Sequence, residues 1–302
     1  MKPGRPRLSI IIPTKNRRRS LGELLQSLRD LADLAVILPE VIVADNGSDD
    51  GTDDFAAGAA KDFPVTLRVL SVVRPGKSAA LNDAAKTANG DFLAFLDDDV
   101  IVDKHWLAAV VDFFQTGEFA VGQGVIRLQA PARDDPEIIE LVQRYRTIPQ
   151  LDHAPDVKLL HSLNGANFLV SRKAFDRVGG FDERLGPGAS GPSEDVDFAR
   201  RLTRAGIAIG YAPRAIVYHH VDRQRLTEEF FKQIHWRQGR SRFLIRKHGV
   251  AAMLFNLARV SAQYAIYTLI GNERKRYRSK GRIYHYLGMI EAHRGRSPIG
   301  RS

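Results

Sequence analysis

The chain has no cysteine among its 302 residues. That excludes a disulfide framework, thiolate zinc sites and cysteine nucleophiles, and it says nothing about redox compartment. Any metal must be held by oxygen or imidazole, donors that suit Mg²⁺ or Mn²⁺. Long apolar runs are scarce as well. The opening MKPGRPRLSIIIPTKNR has no hydrophobic stretch long enough for a signal peptide, and LSIII stops at Pro13, so the chain is expected to stay in the cytoplasm. Gly249 to Gly271 has the length of a membrane span, yet Asn256, Arg259, Ser261 and Gln263 interrupt it near its centre, where arginine is costly in lipid. No internal repeat is present.

Net charge is small over most of the chain and concentrated at its end. Up to Asp222 there are 27 Lys and Arg against 31 Asp and Glu, a net −4; from Arg223 onward there are 18 against 4, a net +14. The body is mildly acidic and the tail strongly basic, so an anionic partner is to be sought at the tail. The aromatic-interleaved basic segments HWRQGRSRFLIRKHG and ERKRYRSKGRIYHY flank Gly249–Gly271, as on interfacial helices. A helix packed on its own domain and a peripheral contact with an anionic membrane surface are the two readings. Nucleic acid ranks below both, because no binding motif accompanies the charge.

The first hundred residues alternate short β-rich apolar runs with helical patterns, the signature of βαβ units and a mainly parallel sheet. Strands are expected at Leu8–Ile12, Glu40–Ala44, Thr66–Val72 and Phe92–Leu96. Between the first two, Leu21, Leu24, Leu25, Leu28 and Leu31 recur at helical spacing behind a Ser20-x-x-Glu23 capping box. Ser78–Ala88 reads as a helix, and Asp103 as the cap of a helix carrying Trp106, Leu107, Val110, Phe113 and Phe114. The pattern then loosens through Ala130–Val157. Order returns with a strand at Asn167–Val170, a short helix near Lys173, and the glycine-rich stretch GGFDERLGPGASGPSED, the kind of loop that closes over ligands. Ser193 reads as the N-cap of a helix through Arg204, with Glu194 and Asp195 in its first turn, and two β-like runs follow at Ile207–Ala212 and Ala215–His219.

In open α/β sheets ligands sit beyond the carboxyl ends of the strands, and three of those ends are unusual here. They read Pro13-Thr14-Lys15-Asn16, Asp45-Asn46-Gly47-Ser48-Asp49 and Asp97-Asp98-Asp99. Three adjacent acids repel one another, so the last calls for a cation or a donor-rich ligand. Alone, such a triplet is more often a solvated turn or a helix N-terminus than a metal site. With a second acidic loop at Asp45 and a Glu-Asp pair at 194–195, the acids divide into three tasks: base or ribose recognition, metal binding and proton abstraction.

The motifs SIIIPTKNR, VIVADNGSDDGT, RPGKSAALNDAAKTANGDFLAFLDDDV, GGFDE, SEDVDFARRLTRAG and PRAIVYHHV, in that order over residues 8 to about 221, closely resemble family 2 glycosyltransferases, an inverting group with a GT-A fold. The resemblance implies a Rossmann-like, mainly parallel central sheet over 1–222 and a basic, mainly helical extension over 223–302. It implies that Pro13 and Thr14, with Asn16, line the nucleotide pocket, and that Asp45 bonds the base. Asp97 and Asp98 approach the ribose and Asp99 meets the metal, Mg²⁺ or Mn²⁺, that bridges the diphosphate. Arg74 and Lys77 either add charge beside the phosphates or form a solvated basic loop. Asp195 would be the general base, with Glu194 in support. A metal-reaching imidazole falls to His219, on the strand face of Val217, with His220 beside it as a competitor. The implied partners are a UDP-, GDP- or dTDP-linked sugar and a glycan or lipid-linked acceptor in cell-envelope or exopolysaccharide synthesis. Processive synthases of this kind carry Q-x-x-R-W, whereas Gln233-Ile-His-Trp236-Arg237 reverses the last two residues, so transfer of a single sugar is expected. The rival readings are nucleotidyl transfer, which releases pyrophosphate, and a non-catalytic sugar-nucleotide-binding protein.

Overall fold

The computed structural model describes residues 7–245 and 249–295, within which the chain forms two compact units. The first draws on the chain up to Gln129, on Pro149–Glu183 and on Glu194–His220; the second draws on Ala130–Ile148, Arg184–Ser193 and the described residues from Val221 on. Arg246, Lys247 and His248, counted in the basic tail, lie outside the described residues, as do those after Gly295.

In the first unit, β1 (Leu8–Thr14), β2 (Glu40–Asp45), β3 (Leu67–Ser71) and β4 (Phe92–Leu96) form a parallel half-sheet in the order β3-β2-β1-β4. Their apolar runs are nearly continuous because both faces are covered. Ile10, Ile12, Val41, Val43, Ala94 and Leu96 join one core, and Ile11, Ile42, Ala44, Leu93 and Phe95 the other. On the first face α1 (Arg18–Arg29) buries Leu21, Leu24, Leu25 and Leu28, followed by the short turn α2 (Leu34–Ile37) and by α3 (Thr52–Ala60). On the second face α4 (Lys77–Thr87) presents Ala79, Ala80, Ala84 and Ala85, small side chains that bring the helix close to the sheet.

Beyond β4 the sheet is mixed. β5 (Val100–Val102), α5 (Trp106–Gln115) and β6 (Val121–Leu128) follow in the first unit, α6 (Pro136–Tyr145) belongs to the second, and β7 (Leu159–Leu160), β8 (Asn167–Ser171), α7 (Arg172–Val178), α8 (Glu194–Arg204) and β9 (Ile209–His219) complete the first. β8 runs antiparallel to β4 and β6, β6 runs parallel to β9, and β9 is antiparallel to β5 and β7. The two β-like runs expected around Pro213 are therefore one strand. The register of β6 on β9 jumps from Gly124↔Ala212 to Val125↔Ile216, and this bulge absorbs the proline that would otherwise cost a ladder bond. Asn167 Nδ2 secures the bulge by donating to the carbonyls of Ala215 (2.8 Å) and Val125 (3.0 Å).

The capping box at Ser20 is also corrected. α1 starts at Arg18, Ser20 Oγ donates back to the Arg17 carbonyl at 3.3 Å, and the Arg17 N–H is taken by Thr52 Oγ1 at 3.1 Å. A hydroxyl from the first residue of α3 fills the place of a local cap. Asp103 does turn the chain into α5, accepting from the His105 N–H at 3.0 Å, but the residue preceding the helix is His105.

In the second unit, α6 is capped by Asp135, whose side chain accepts from Glu137 N and Ile138 N. α9 (Glu228–Ile245), α10 (Val250–Leu269) and α11 (Glu273–Arg294) follow, so Gly249–Gly271 is a helix packed against α11. α9 and α11 touch backbone to backbone: a Cβ on Gly239 would lie 2.0 Å from the His285 carbonyl oxygen, and one on Gly288 2.1 Å from that of Trp236. Only glycine fits at such an approach. The buried apolar cluster of Phe243, Met253 and Met289 is small.

Candidate active site

All the residues singled out for chemistry lie in the first unit. The carboxyl ends of β1, β2 and β4 share one edge: Thr14 pairs with Asp45 in register, and Ile11 with Phe95, so the residues after Leu96 come level with Pro13 and Thr14. Thr14 Oγ1 accordingly donates to Asp98 Oδ2 at 2.7 Å. Pro13 is buried beside it.

Asp45 is 3% exposed and accepts from the N–H and the hydroxyl of Ser48, which fold the loop after β2 into a tight turn. Asn16, in the left-handed region at φ +54°, clamps this loop to the end of β1: its N–H donates to Ser48 Oγ at 2.9 Å and its Oδ1 accepts from Asp49 N at 2.9 Å. Asn46 had no assigned role, although it sits inside the motif that carries the resemblance. Its Nδ2 donates to the carbonyls of Val72 (3.2 Å) and Arg74 (2.6 Å), and its Oδ1 accepts from Gly76 N at 2.7 Å. One buried amide thus sets the course of the loop leading to Lys77.

Lys77 begins α4, and its ammonium pairs with the Asp97 carboxylate and stands 3.5 Å from Glu194 Oε1. Burial alone would lower its pKa, but Asp97, Glu194 and Asp195 together hold it above the ordinary lysine value. Gly165 permits this packing, since a Cβ there would lie 3.1 Å from Lys77 Nζ and 3.7 Å from Asp97 Oδ1. Arg74 is directed elsewhere: its guanidinium is engaged by Asp83 and Glu183. Glu183 is the last residue of the GGFDE motif and also accepts from Asn82 Nδ2 at 3.1 Å.

Burial, then the adjacent Asp99 and Asp97, raise the Asp98 carboxyl to about 7, against the opposing bond from Thr14. Asp195 opens α8 beside the buried Glu194. Its Oδ2 accepts from Gly165 N at 3.1 Å and its Oδ1 from Val196 N at 2.7 Å. Burial and the Glu194 charge raise its carboxyl to about 7, while Lys77 and the two N–H donors pull the other way.

The pairing of β5 with β9 sets Val100 opposite His219 and decides between the two histidines. His219 is 1% exposed, with Nε2 3.3 Å from Asp99 Oδ1 and Nδ1 2.7 Å from the His220 carbonyl oxygen. A carbonyl only accepts, so Nδ1 donates to it and Nε2 is the ring atom turned toward the carboxylate. Such a pair fits a hard or borderline divalent cation, its imidazole oriented from behind by a backbone carbonyl. Asp99 and His219 are the two side chains that could hold one there. No group of three or more His, Asp or Glu side chains placed to hold a metal by themselves occurs among the described residues, so further oxygens would come from ligand and water.

The sequence model described as glycosyl transferase family 2 matches residues 9–179. Among curated proteins, the pre-mycofactocin glycosyltransferase of Mycobacterium tuberculosis is 32% identical over 224 residues, covering 72% of this chain and 43% of that protein. The succinoglycan biosynthesis protein ExoM of Rhizobium meliloti is 28% identical over 249 residues, covering 80% and 77%. The chain thus spans less than half the length of the mycobacterial relative. Among solved structures, a Pyrobaculum calidifontis mannosyltransferase in complex with GDP-Man and Mn²⁺ has a TM-score of 0.57 at 16% identity, covering 99% of this chain and 77% of that one. S. aureus TarS 1–349 in complex with UDP-GlcNAc has a TM-score of 0.54 at 18% identity, covering 96% and 92%. These likenesses establish the GT-A fold.

Proposed function

The chain belongs to glycosyl transferase family 2, and from that premise we propose that it transfers one sugar from a nucleotide-diphosphate sugar to an acceptor hydroxyl, with inversion at the anomeric carbon. The observation that carries the reading is the convergence at one sheet edge of the Asp45 loop, the Asp97–Asp99 triplet and the Glu194–Asp195 pair, the last two joined through Lys77.

Asp45, with lone pairs left after its Ser48 bonds, accepts the imide N–H of the base. Pro13, Thr14 and Asn16 form the wall beside it. Thr14 holds Asp98 toward the ribose, and Lys77 fixes Asp97 while adding positive charge. Asp99 and His219 would hold Mg²⁺ or Mn²⁺, which when bound offsets the negative charge that grows on the leaving diphosphate. Asp195 takes the proton of the acceptor hydroxyl. As that O–H bond breaks, the oxygen bonds to the anomeric carbon from the face opposite the nucleotide, and the bond from carbon to diphosphate oxygen breaks to release nucleoside diphosphate. A carboxylate raised to about 7 is a better proton acceptor than an ordinary aspartate and is still about half ionised at neutral pH. The backbone donors Gly165 N and Val196 N hold it in place.

The acceptor is read as a glycan or lipid-linked glycan. The site of work is read as the cytoplasmic face of the membrane, reached through the basic extension. The test is a screen of UDP-, GDP- and dTDP-sugars with Mn²⁺ or Mg²⁺, reading thermal stabilisation and the released phosphate product. The correct donor should stabilise the fold by mass action and yield nucleoside diphosphate. Release of pyrophosphate would make the protein a nucleotidyltransferase, and stabilisation without turnover for any acceptor would make it a binding protein.

A further inference from the structure

The second unit contains a cavity of about 540 Å³ that sugar transfer leaves unused. Six arginines line it: Arg144 and Arg146 at the end of α6, Arg242 on α9, and Arg274, Arg278 and Arg282 along α11. No acid lines it. Arg144 is paired with Glu140 at 2.7 Å and Glu273 at 2.8 Å; none of the other five has an ion pair among the described residues. The α11 arginines recur every fourth position, on one helix face, where like charges repel. A concave ring of guanidiniums, five of the six without an ion pair, over buried Phe231, Met253 and Met289 is stabilised by an anion carrying several oxygens.

The wall of this cavity is shared with an uncovered apolar surface. Ala252, Met253 and Asn256 of α10 face the cavity. Elsewhere on that helix Ala251, Phe255, Ala258, Ala262, Ile266 and Leu269 form an outward stripe at helical spacing, with Phe255 69%, Ile266 53% and Leu269 87% exposed. Among the described residues no helix is long and apolar enough to cross a membrane. A helix with one apolar face beside a cationic site suits the interfacial plane of a bilayer.

We propose that this cavity binds the terminal phosphate or diphosphate of a lipid, with the α10 stripe resting among the acyl chains. A terminal phosphate presents about two charges and three free oxygens to a multidentate guanidinium site, against one charge and two free oxygens for a phosphodiester headgroup. The inference rests on the reading of the basic extension as membrane-facing and names the group that it grips.

The test uses the full chain and phosphatidylcholine vesicles, plain or doped to equal surface charge with phosphatidylglycerol or phosphatidic acid. Sedimentation should be strongest with phosphatidic acid and negligible with plain vesicles. Arg242→Gln and Arg278→Gln should each weaken the phosphatidic acid interaction by about fivefold. Phe255→Ser with Leu269→Ser should abolish sedimentation while leaving calorimetric binding of inorganic diphosphate unchanged, with circular dichroism confirming the helices. Equal binding to both anionic vesicles, indifferent to Arg278→Gln, would overturn the cavity assignment and leave a general electrostatic association standing. Diphosphate binding with no vesicle binding would overturn the lipid as its source, and binding to neither would overturn both the cavity and the membrane-facing extension.

Discussion

Lys77 Nζ lies between the Asp97 carboxylate and Glu194 Oε1, 3.5 Å from the latter, so one cation ties the acid triplet after β4 to the acid pair that opens α8. Without it, three carboxylates from two distant stretches of chain would share a site with only 17% of the lysine side chain exposed to water. Lys77 is both a structural counter-ion and the charge that keeps the Asp195 pKa from rising further.

Replacing Lys77 with Met should therefore act twice. Removing one partner of a buried ion pair leaves uncompensated charge, and a loss of about 3 kcal/mol in denaturant unfolding at neutral pH is expected. The basic limb of that loss should shrink in acid, as protonation of the carboxylates removes the repulsion. An unfolding midpoint equal to that of the parent at neutral pH would show that the ammonium is dispensable.

Asp195→Asn should lower turnover by roughly a hundredfold to ten-thousandfold, the usual range for a lost general base, and leave donor affinity as it was. The linkage sign adds a second readout. A carboxyl whose folded pKa lies above its unfolded value of 3.8 opposes folding fully above about pH 7, and this penalty is relieved as pH falls toward 4. The Asn variant should gain stability over the parent at pH 8 and lose that advantage at pH 4. A fall in donor affinity with turnover preserved would make Asp195 a binding residue.

How far the sequence disclosed these relationships depended on whether their cause was local. The parallel half-sheet was legible because strands buried on both faces make continuous apolar runs ending in polar motifs, and Phe92–Leu96 was placed to the residue. The start of α1 was misplaced because its first donor is satisfied by Thr52, more than thirty residues away. Pro213 looked like a strand break because a bulge against Gly124 and Val125 is a property of the partner strand. The same limit hid the pairing of Arg74 with Asp83 and Glu183 and left His220 as a competitor to His219, a choice that turns on the register of β5. For 130–157 the polar, proline-containing pattern gave no reading, and α6 is held by its own Asp135 cap.

The pH profile follows from the groups facing Asp195, namely Glu194 on α8 and Lys77 on α4, with the N–H groups of Gly165 and Val196. Only the ionised carboxylate accepts a proton, so kcat/KM should rise with pH, bend near 7 and level above it. Lys77 stays charged throughout that range. In a variant lacking the Lys77 charge the bend should move to higher pH, because the cation that lowers the Asp195 pKa is gone. A bend near 4, in the range of a free aspartate, would exclude this carboxyl as the base.

The last expectation concerns Asp99 and His219, whose facing atoms, 3.3 Å apart, are a carboxylate oxygen and the imidazole Nε2, with Nδ1 turned to the His220 carbonyl on the other side of the ring. Two lone pairs directed at one point are stable only with a proton or a cation between them. Asp99→Asn keeps the shape and loses the charge; His219→Ala removes the second donor and opens space behind it. Each should weaken Mn²⁺ binding, read directly by electron paramagnetic resonance, by at least the roughly tenfold to hundredfold seen when even an outer partner of a metal ligand is lost. Donor affinity should then cease to depend on added metal, while the thermal transition without metal stays close to that of the parent for Asp99→Asn. The two substitutions should be non-additive, because they empty the same site. Unchanged Mn²⁺ binding in the Asp99→Asn variant would show that the carboxylate and imidazole share a proton instead, and that the diphosphate is met by other charges at this edge.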